Sequence, residues 1–155
     1  MIPNYILYPL LTIMGTEKAN ALSLSKGGWE GWLQCELWGT VTVDYQITTE
    51  REVSYPNENT RCDLVCTPGP PNSQLWIEIK AYGIFRQGDE NHFLDGIARD
   101  VYKLMHMRPP FTEGLSLVVI PNGIATQFEQ AINQRGWLGF SRNRYEYVTL
   151  YHMNI

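Results

Sequence analysis

Two stretches decide the fold: Arg61-Cys62-Asp63-Leu64-Val65-Cys66-Thr67 and Leu75-Trp76-Ile77-Glu78-Ile79-Lys80-Ala81. Each sets acidic side chains among apolar ones. Between them runs Pro68-Gly69-Pro70-Pro71-Asn72-Ser73, a composition that punctuates the chain as a loop. The spacing predicts strands over 61–67 and 74–82. In the second, the strand period of two puts Leu75, Ile77 and Ile79 on one face and Trp76, Glu78 and Lys80 on the other. Paired as a hairpin, the two strands would bring the Asp63 and Glu78 carboxylates to one face. Carboxylates that close repel unless a cation lies between them, and an ionised acid among apolar neighbours is costly without one. The expected cation is Mg²⁺ or Mn²⁺, which take oxygen ligands.

Lys80 follows Glu78 by two residues and shares its face. Its ammonium would orient or activate a water on the metal, or stabilise charge on a phosphate. Such an array suits phosphodiester hydrolysis.

Working outward, apolar residues at helical spacing predict a helix over 5–14, interrupted by Thr16-Glu17-Lys18-Ala19-Asn20. A turn is expected at Ser25-Lys26-Gly27-Gly28. A helix over 29–41 follows, with Trp29, Trp32, Leu33 and Leu37 as apolar positions and Gly39 as its terminator. Strands are expected over 40–46 and 50–55, then a turn at Pro56-Asn57-Glu58-Asn59. After Lys80, residues 83–91 read as a polar loop and 92–106 as a helix ended by Arg108-Pro109-Pro110. A buried strand over 114–121, a helix over 125–135 closed by Gly136, and a strand over 145–152 complete the chain. The order predicts an α/β fold with a mixed central β-sheet flanked by helices. No repeat or linker interrupts it, so one domain is expected over 1–155.

The motif residues resemble those of the PD-(D/E)XK, restriction-endonuclease-like nucleases. Asp63 is followed by Glu78-Ile79-Lys80 at the end of a hydrophobic strand. Glu30, in Trp29-Glu30-Gly31-Trp32-Leu33-Gln34, looks like the glutamate that many members carry on the helix before the sheet. The helix after Lys80 and the strand beyond it follow the order of that core, so the resemblance spans about residues 29–121. Cys62 stands where the family often has proline. The resemblance implies a metal-dependent nuclease. Asp63, Glu78 and the Ile79 backbone carbonyl would hold the metal, Glu30 would hold it directly or through water, and Lys80 would meet the attacking water or the scissile phosphate.

Plainer readings stand beside these. Glu78 and Lys80 would form a charge pair on a solvated face. Asp63 would pair with Arg61. Glu30 would serve the helix dipole at a helix N-terminus. Gln34, one turn after Glu30, would orient it or a water, or lie exposed. Arg99 and Lys103 form one helical stripe that would meet phosphates or solvent. Asp95 and Asp100 are expected at the surface or as caps. His92, His106 and His152 lack the spacing of zinc ligands.

Composition bounds the function. Apolar residues make up 44% of the 155 and charged residues only 18%, enough to bury a core and too apolar for disorder. The formal net charge is −4, which weighs against strong non-specific DNA binding. Cys35, Cys62 and Cys66 have no disulfide spacing and are expected as reduced, buried thiols of a cytoplasmic protein. The apolar start lacks a basic leader, and no run is long enough for a membrane span, so no membrane partner is expected. Two function classes follow. One is a nuclease, for DNA ahead of RNA, acting within a defence or toxin-type system, and as a homodimer where both strands are to be cut. The other keeps the fold and binds a protein partner without catalysis, as immunity proteins or assembly subunits do. Abundant Trp and Tyr and the acidic balance favour the second, and the intact acidic cluster favours the first.

Overall fold

The computed structural model describes residues 1–25, 29–70, 73–83 and 88–155. The elements are α1 (Asn4–Met14), α2 (Glu17–Ser23), α3 (Glu30–Val43), β1 (Thr48–Ser54), β2 (Arg61–Thr67), β3 (Leu75–Ala81), α4 (Glu90–His106), β4 (Glu113–Pro121), α5 (Ala125–Gln134), β5 (Ser141–Arg144) and β6 (Val148–Asn154). A single 3-10 turn, Asn122–Ile124, leads into α5. The six strands form one mixed sheet in the order β1-β2-β3-β4-β6-β5. Strands β1, β2 and β3 make an antiparallel meander, and β4 lies parallel to β3. A parallel neighbour needs a crossover, and α4 supplies it. No helix among the described residues is long and apolar enough to cross a membrane.

Helices cover both faces. On one, Leu75, Ile77 and Ile79 of β3 pack with Leu115, Leu117 and Val119 of β4 against Ile6, Leu10 and Met14 of α1 and Leu33, Leu37 and Val41 of α3. On the other, Trp76 joins Tyr55, Cys62, Val65 and Leu104, while Phe93, Leu94 and Ile97 of α4 meet Phe128 and Ile132 of α5 over Val118, Ile120 and Tyr151. The two-faced pattern expected for β3 is therefore observed, and both faces are buried because the strand is central.

Several expectations are corrected. Gly39 does not end α3, and residues 40–43 are helical rather than the start of a strand over 40–46. The β-branched run Thr40-Val41-Thr42-Val43 reads as strand locally, but Val41 is fully buried on the core-facing side of the helix, and tertiary packing overrides propensity. Residues 17–23 are not an interruption but a second helix, capped by the Thr16 hydroxyl accepting from the Ala19 N–H at 3.2 Å. The end of the chain is a hairpin, β5–β6, rather than one strand over 145–152. Cys62 and Cys66 are free and buried as expected, whereas Cys35 is exposed. The expected turn at 25–28, the loop before β3 and the polar loop over 83–91 fall partly outside the described residues.

A charge-linked candidate metal site

The β2–β3 ladder runs from Cys66/Leu75 to Leu64/Ile77 and stops there. One step further, Asp63 stands opposite Glu78, and the strands part. The Asp63 carboxylate turns into the gap, where its Oδ2 accepts the Ile79 N–H at 2.7 Å. Cys62 completes the departure from regular pairing, with its thiol 3.2 Å from the Ile77 carbonyl oxygen and 3.3 Å from that of Leu64. On the other side of Asp63, Glu52 of β1 adopts a left-handed φ of 55° and makes no ladder pair. A non-glycine residue in that conformation within a strand is strained. The distortion is thus centred on Asp63 in both directions.

Glu30 reaches the same place from α3. The start of this helix is fixed to the end of β3 because the buried Trp29 indole donates to the Tyr82 carbonyl at 3.1 Å. One residue on, Glu30 Oε2 accepts the Ala81 N–H at 3.1 Å, and Oε1 lies 3.3 Å from Lys80 Nζ. Glu30 also sits in the first turn of α3, so the helix-dipole reading and the site reading hold together.

From Lys80 a chain of alternating charges runs inward. Its ammonium is 3.0 Å from Asp100 Oδ2 on α4. Asp100 Oδ1 is 2.8 Å from Lys103 Nζ, one helical turn away. Lys103 Nζ is in turn 2.8 Å from Glu78 Oε1, which also accepts the Tyr55 hydroxyl at 2.7 Å. The outer members, Glu30 and Lys80, are 28% and 24% exposed and the inner end, Glu78, is 1% exposed, so the chain leads from the surface into the core. The stem of Lys80 runs beside Gly96, where a Cβ would lie in ordinary van der Waals contact with Cε at 3.5 Å.

The electrostatics are unbalanced. Glu30, Asp63, Glu78 and Asp100 are four carboxyl groups against the two ammonium groups of Lys80 and Lys103, so full ionisation would leave two negative charges uncompensated within the cluster. The acids respond accordingly. Burial, with smaller contributions from Asp100 and Glu30, pushes Asp63 up to about 6 against the Ile79 N–H and Lys80. Burial, then Asp100 and Asp63, pushes Glu78 up to about 8 despite Lys103. Burial alone would lower the Lys80 ammonium, but Asp100 and Glu30 beside it raise it, so it stays charged.

Among the described residues, no three acidic, histidine or cysteine side chains form a ready cage for an ion. The donor set nevertheless suits a hard divalent cation. It consists of carboxyl oxygens with a backbone carbonyl at hand, it holds two more acids than ammonium groups, and the described contacts of Asp63 and Glu78 each use only one carboxyl oxygen.

The site residues named from the sequence are therefore sorted as follows. Glu30, Asp63 and Lys80 meet at the outer end of the cluster, and Glu78 lies at its inner end, bound to Lys103 rather than to Lys80. Among the described residues Asp63 makes no pair with Arg61. Gln34 is buried, not exposed, and none of the described hydrogen bonds joins it to Glu30. Arg99 is exposed on α4. Lys103 is corrected from a solvent-facing stripe to an internal cation, and Asp100 from a surface or capping group to the buried link between both lysines. The only sequence signal for these two was their position beside the core residues Ile97 and Leu104 on the inward side of α4. No family model matches the chain, and neither the curated proteins nor the solved structures contain a match to it.

Proposed function

We propose that this protein is a divalent-metal-dependent nuclease with a restriction-endonuclease-like core, acting on DNA ahead of RNA. The observation that carries this reading is the convergence of Glu30, Asp63 and Lys80 where the pairing of two central strands ends, continuous with Glu78 in a cluster of four acids and two lysines. The order of helix, three-stranded meander, crossover helix and parallel strand supports the same core. Asp63, Glu78 and the Ile79 carbonyl would hold Mg²⁺ or Mn²⁺. When bound, that ion polarises a phosphate oxygen and acidifies a water. Lys80, held charged by Glu30 and Asp100, stabilises the negative charge that builds on the phosphate or fixes the attacking water. Glu30 aims Lys80 and keeps the end of β3 against α3 through the Ala81 N–H.

Incubation with plasmid, single-stranded DNA and RNA in Mn²⁺ tests the reading. Cleavage by the wild type, lost in both Asp63→Ala and Lys80→Ala, is the expected result. Cleavage that persists in Lys80→Ala overturns the assigned roles. A second reading, a nuclease-fold protein that binds a protein partner, draws on exposed Tyr102, Met105, Phe111 and Leu138 and on the net charge of −4. It takes over if no substrate is cut and Mn²⁺ leaves the melting temperature unchanged.

A further inference from the structure

Lys103 occupies a built cation site. Its Nζ lies 2.8 Å from Glu78 Oε1 and 2.8 Å from Asp100 Oδ1. The same nitrogen is 3.3 Å from the Arg61 carbonyl oxygen and 5.8 Å from the centre of the Tyr55 ring. Two carboxylates and a backbone carbonyl form the kind of oxygen shell that a divalent ion takes, and a ring face adds to the attraction for any cation. The shell is internal, with side-chain exposures of 1% for Glu78 and 7% for Asp100. Asp63 differs. Among the described residues no ammonium lies within ion-pair distance of it, and its described contact is a backbone N–H.

Enzymes that hydrolyse phosphodiesters with two metal ions hold them about 4 Å apart, clamped between shared ligands. Here one of two neighbouring cation places is already filled from within the chain. Resting on the metal reading above, we infer that Lys103 is a built-in substitute for a second divalent ion, so that the site takes a single ion, on the Asp63 side of Glu78. Lys103 enforces this by filling the shell in advance. An added divalent ion between Glu78 and Asp100 would stand next to the Lys80 ammonium, which is 3.0 Å from the other oxygen of Asp100. A singly charged ammonium tethered three residues from Asp100 fills the same shell with less repulsion and needs no ion from solution.

Mn²⁺ stoichiometry, measured by equilibrium dialysis and by electron paramagnetic resonance on the full chain without nucleic acid, tests this independently of cleavage. The wild type and Lys103→Arg are expected to bind one ion per chain. Lys103→Gln is expected to bind two, and adding Asp100→Asn to it returns the count to one. If Lys103→Gln fails to fold alone, Mn²⁺ is expected to refold it with two ions bound, and failure to refold in saturating Mn²⁺ overturns the inference. A wild type that binds two ions, or a Lys103→Gln variant that folds and still binds one, overturns the inference and leaves the metal reading standing. No binding by the wild type overturns the metal reading, and the inference with it.

Discussion

Asp63→Asn, studied in EDTA, isolates what the carboxylate costs when no ion is present. Burial raises Asp63 from an ordinary 3.8 to about 6 in the folded protein. A carboxyl whose folded pKa is raised favours folding in its protonated form. That contribution is fully present below the unfolded pKa, near 4, and is lost as pH rises through about 6. Each pKa unit corresponds to about 1.4 kcal/mol, so the full penalty on the ionised form is about 3 kcal/mol above pH 7 and about 0.5 kcal/mol at pH 4. Asn cannot ionise, and its side-chain oxygen still accepts the Ile79 N–H. Partial solvent access and coupling to Glu78 reduce the difference. The stability of Asp63→Asn relative to wild type should therefore shift by about 1–2 kcal/mol in the variant's favour between pH 4 and pH 7.5. Urea denaturation at a series of pH values measures it, with the m-value as a check that the transition itself is unchanged. Saturating Mn²⁺ should reverse the order at pH 7.5, since an ion at a hundred times its Kd adds about 2.7 kcal/mol to the form that binds it. Parallel pH profiles for the two proteins in EDTA would refute the reasoning, because ionising Asp63 would then cost the folded state nothing.

Two further substitutions probe how the scaffold holds the site. Trp29→Phe removes the 3.1 Å bond from the indole to the Tyr82 carbonyl, at a stability cost of about 1 kcal/mol in urea, and it loosens Glu30 from Lys80, so on the proposed nuclease reading the cleavage rate should fall by more than the stability loss explains. Ile77→Ala opens a void in the fully buried centre of β3 and should cost about 2–5 kcal/mol by the urea midpoint, and a cost below about 1 kcal/mol would mean that this strand is not the centre of the core.

The parts of the fold written as local patterns were legible. Leu75-Trp76-Ile77-Glu78-Ile79-Lys80 announces its two faces through a period of two, and β2 and β3 stand where their composition put them. The parts settled by tertiary contact were not. Val41 reads as strand until the α1–α3 layer that buries it is known. Ser141-Arg142-Asn143-Arg144 has no apolar alternation, because an exposed edge strand has no face to bury. Within the site, Asp63, Glu78 and Lys80 were found because two strands and a fixed period bring them together. Asp100 was read as a surface or capping group and Lys103 as a cation for phosphate or solvent because their partners lie about twenty residues back, across the crossover. Nothing in the helix alone says that Asp100 meets Lys80, or that Lys103 meets Glu78.

The acidity of the chain also bears on how a phosphate backbone would approach it. Sixteen acids against twelve Lys and Arg give no general attraction for nucleic acid, and the cluster itself is negative. On the metal reading, the ion is what makes the site able to accept an anion, since it offsets the excess of acids over ammonium groups in the cluster. Binding of nucleic acid should then depend on divalent ion more steeply than a diffuse basic surface would allow, and its loss in EDTA should not be restored by lowering the salt. A basic face that grips the backbone would behave in the opposite way, tightening at low salt with or without the ion. The described residues carry no such face around Asp63: Arg61 and Arg99 are the exposed cations of β2 and α4, and Lys80 and Lys103 are already committed to carboxylates. On the metal reading, charge therefore orders the two events, with the ion binding before the phosphate.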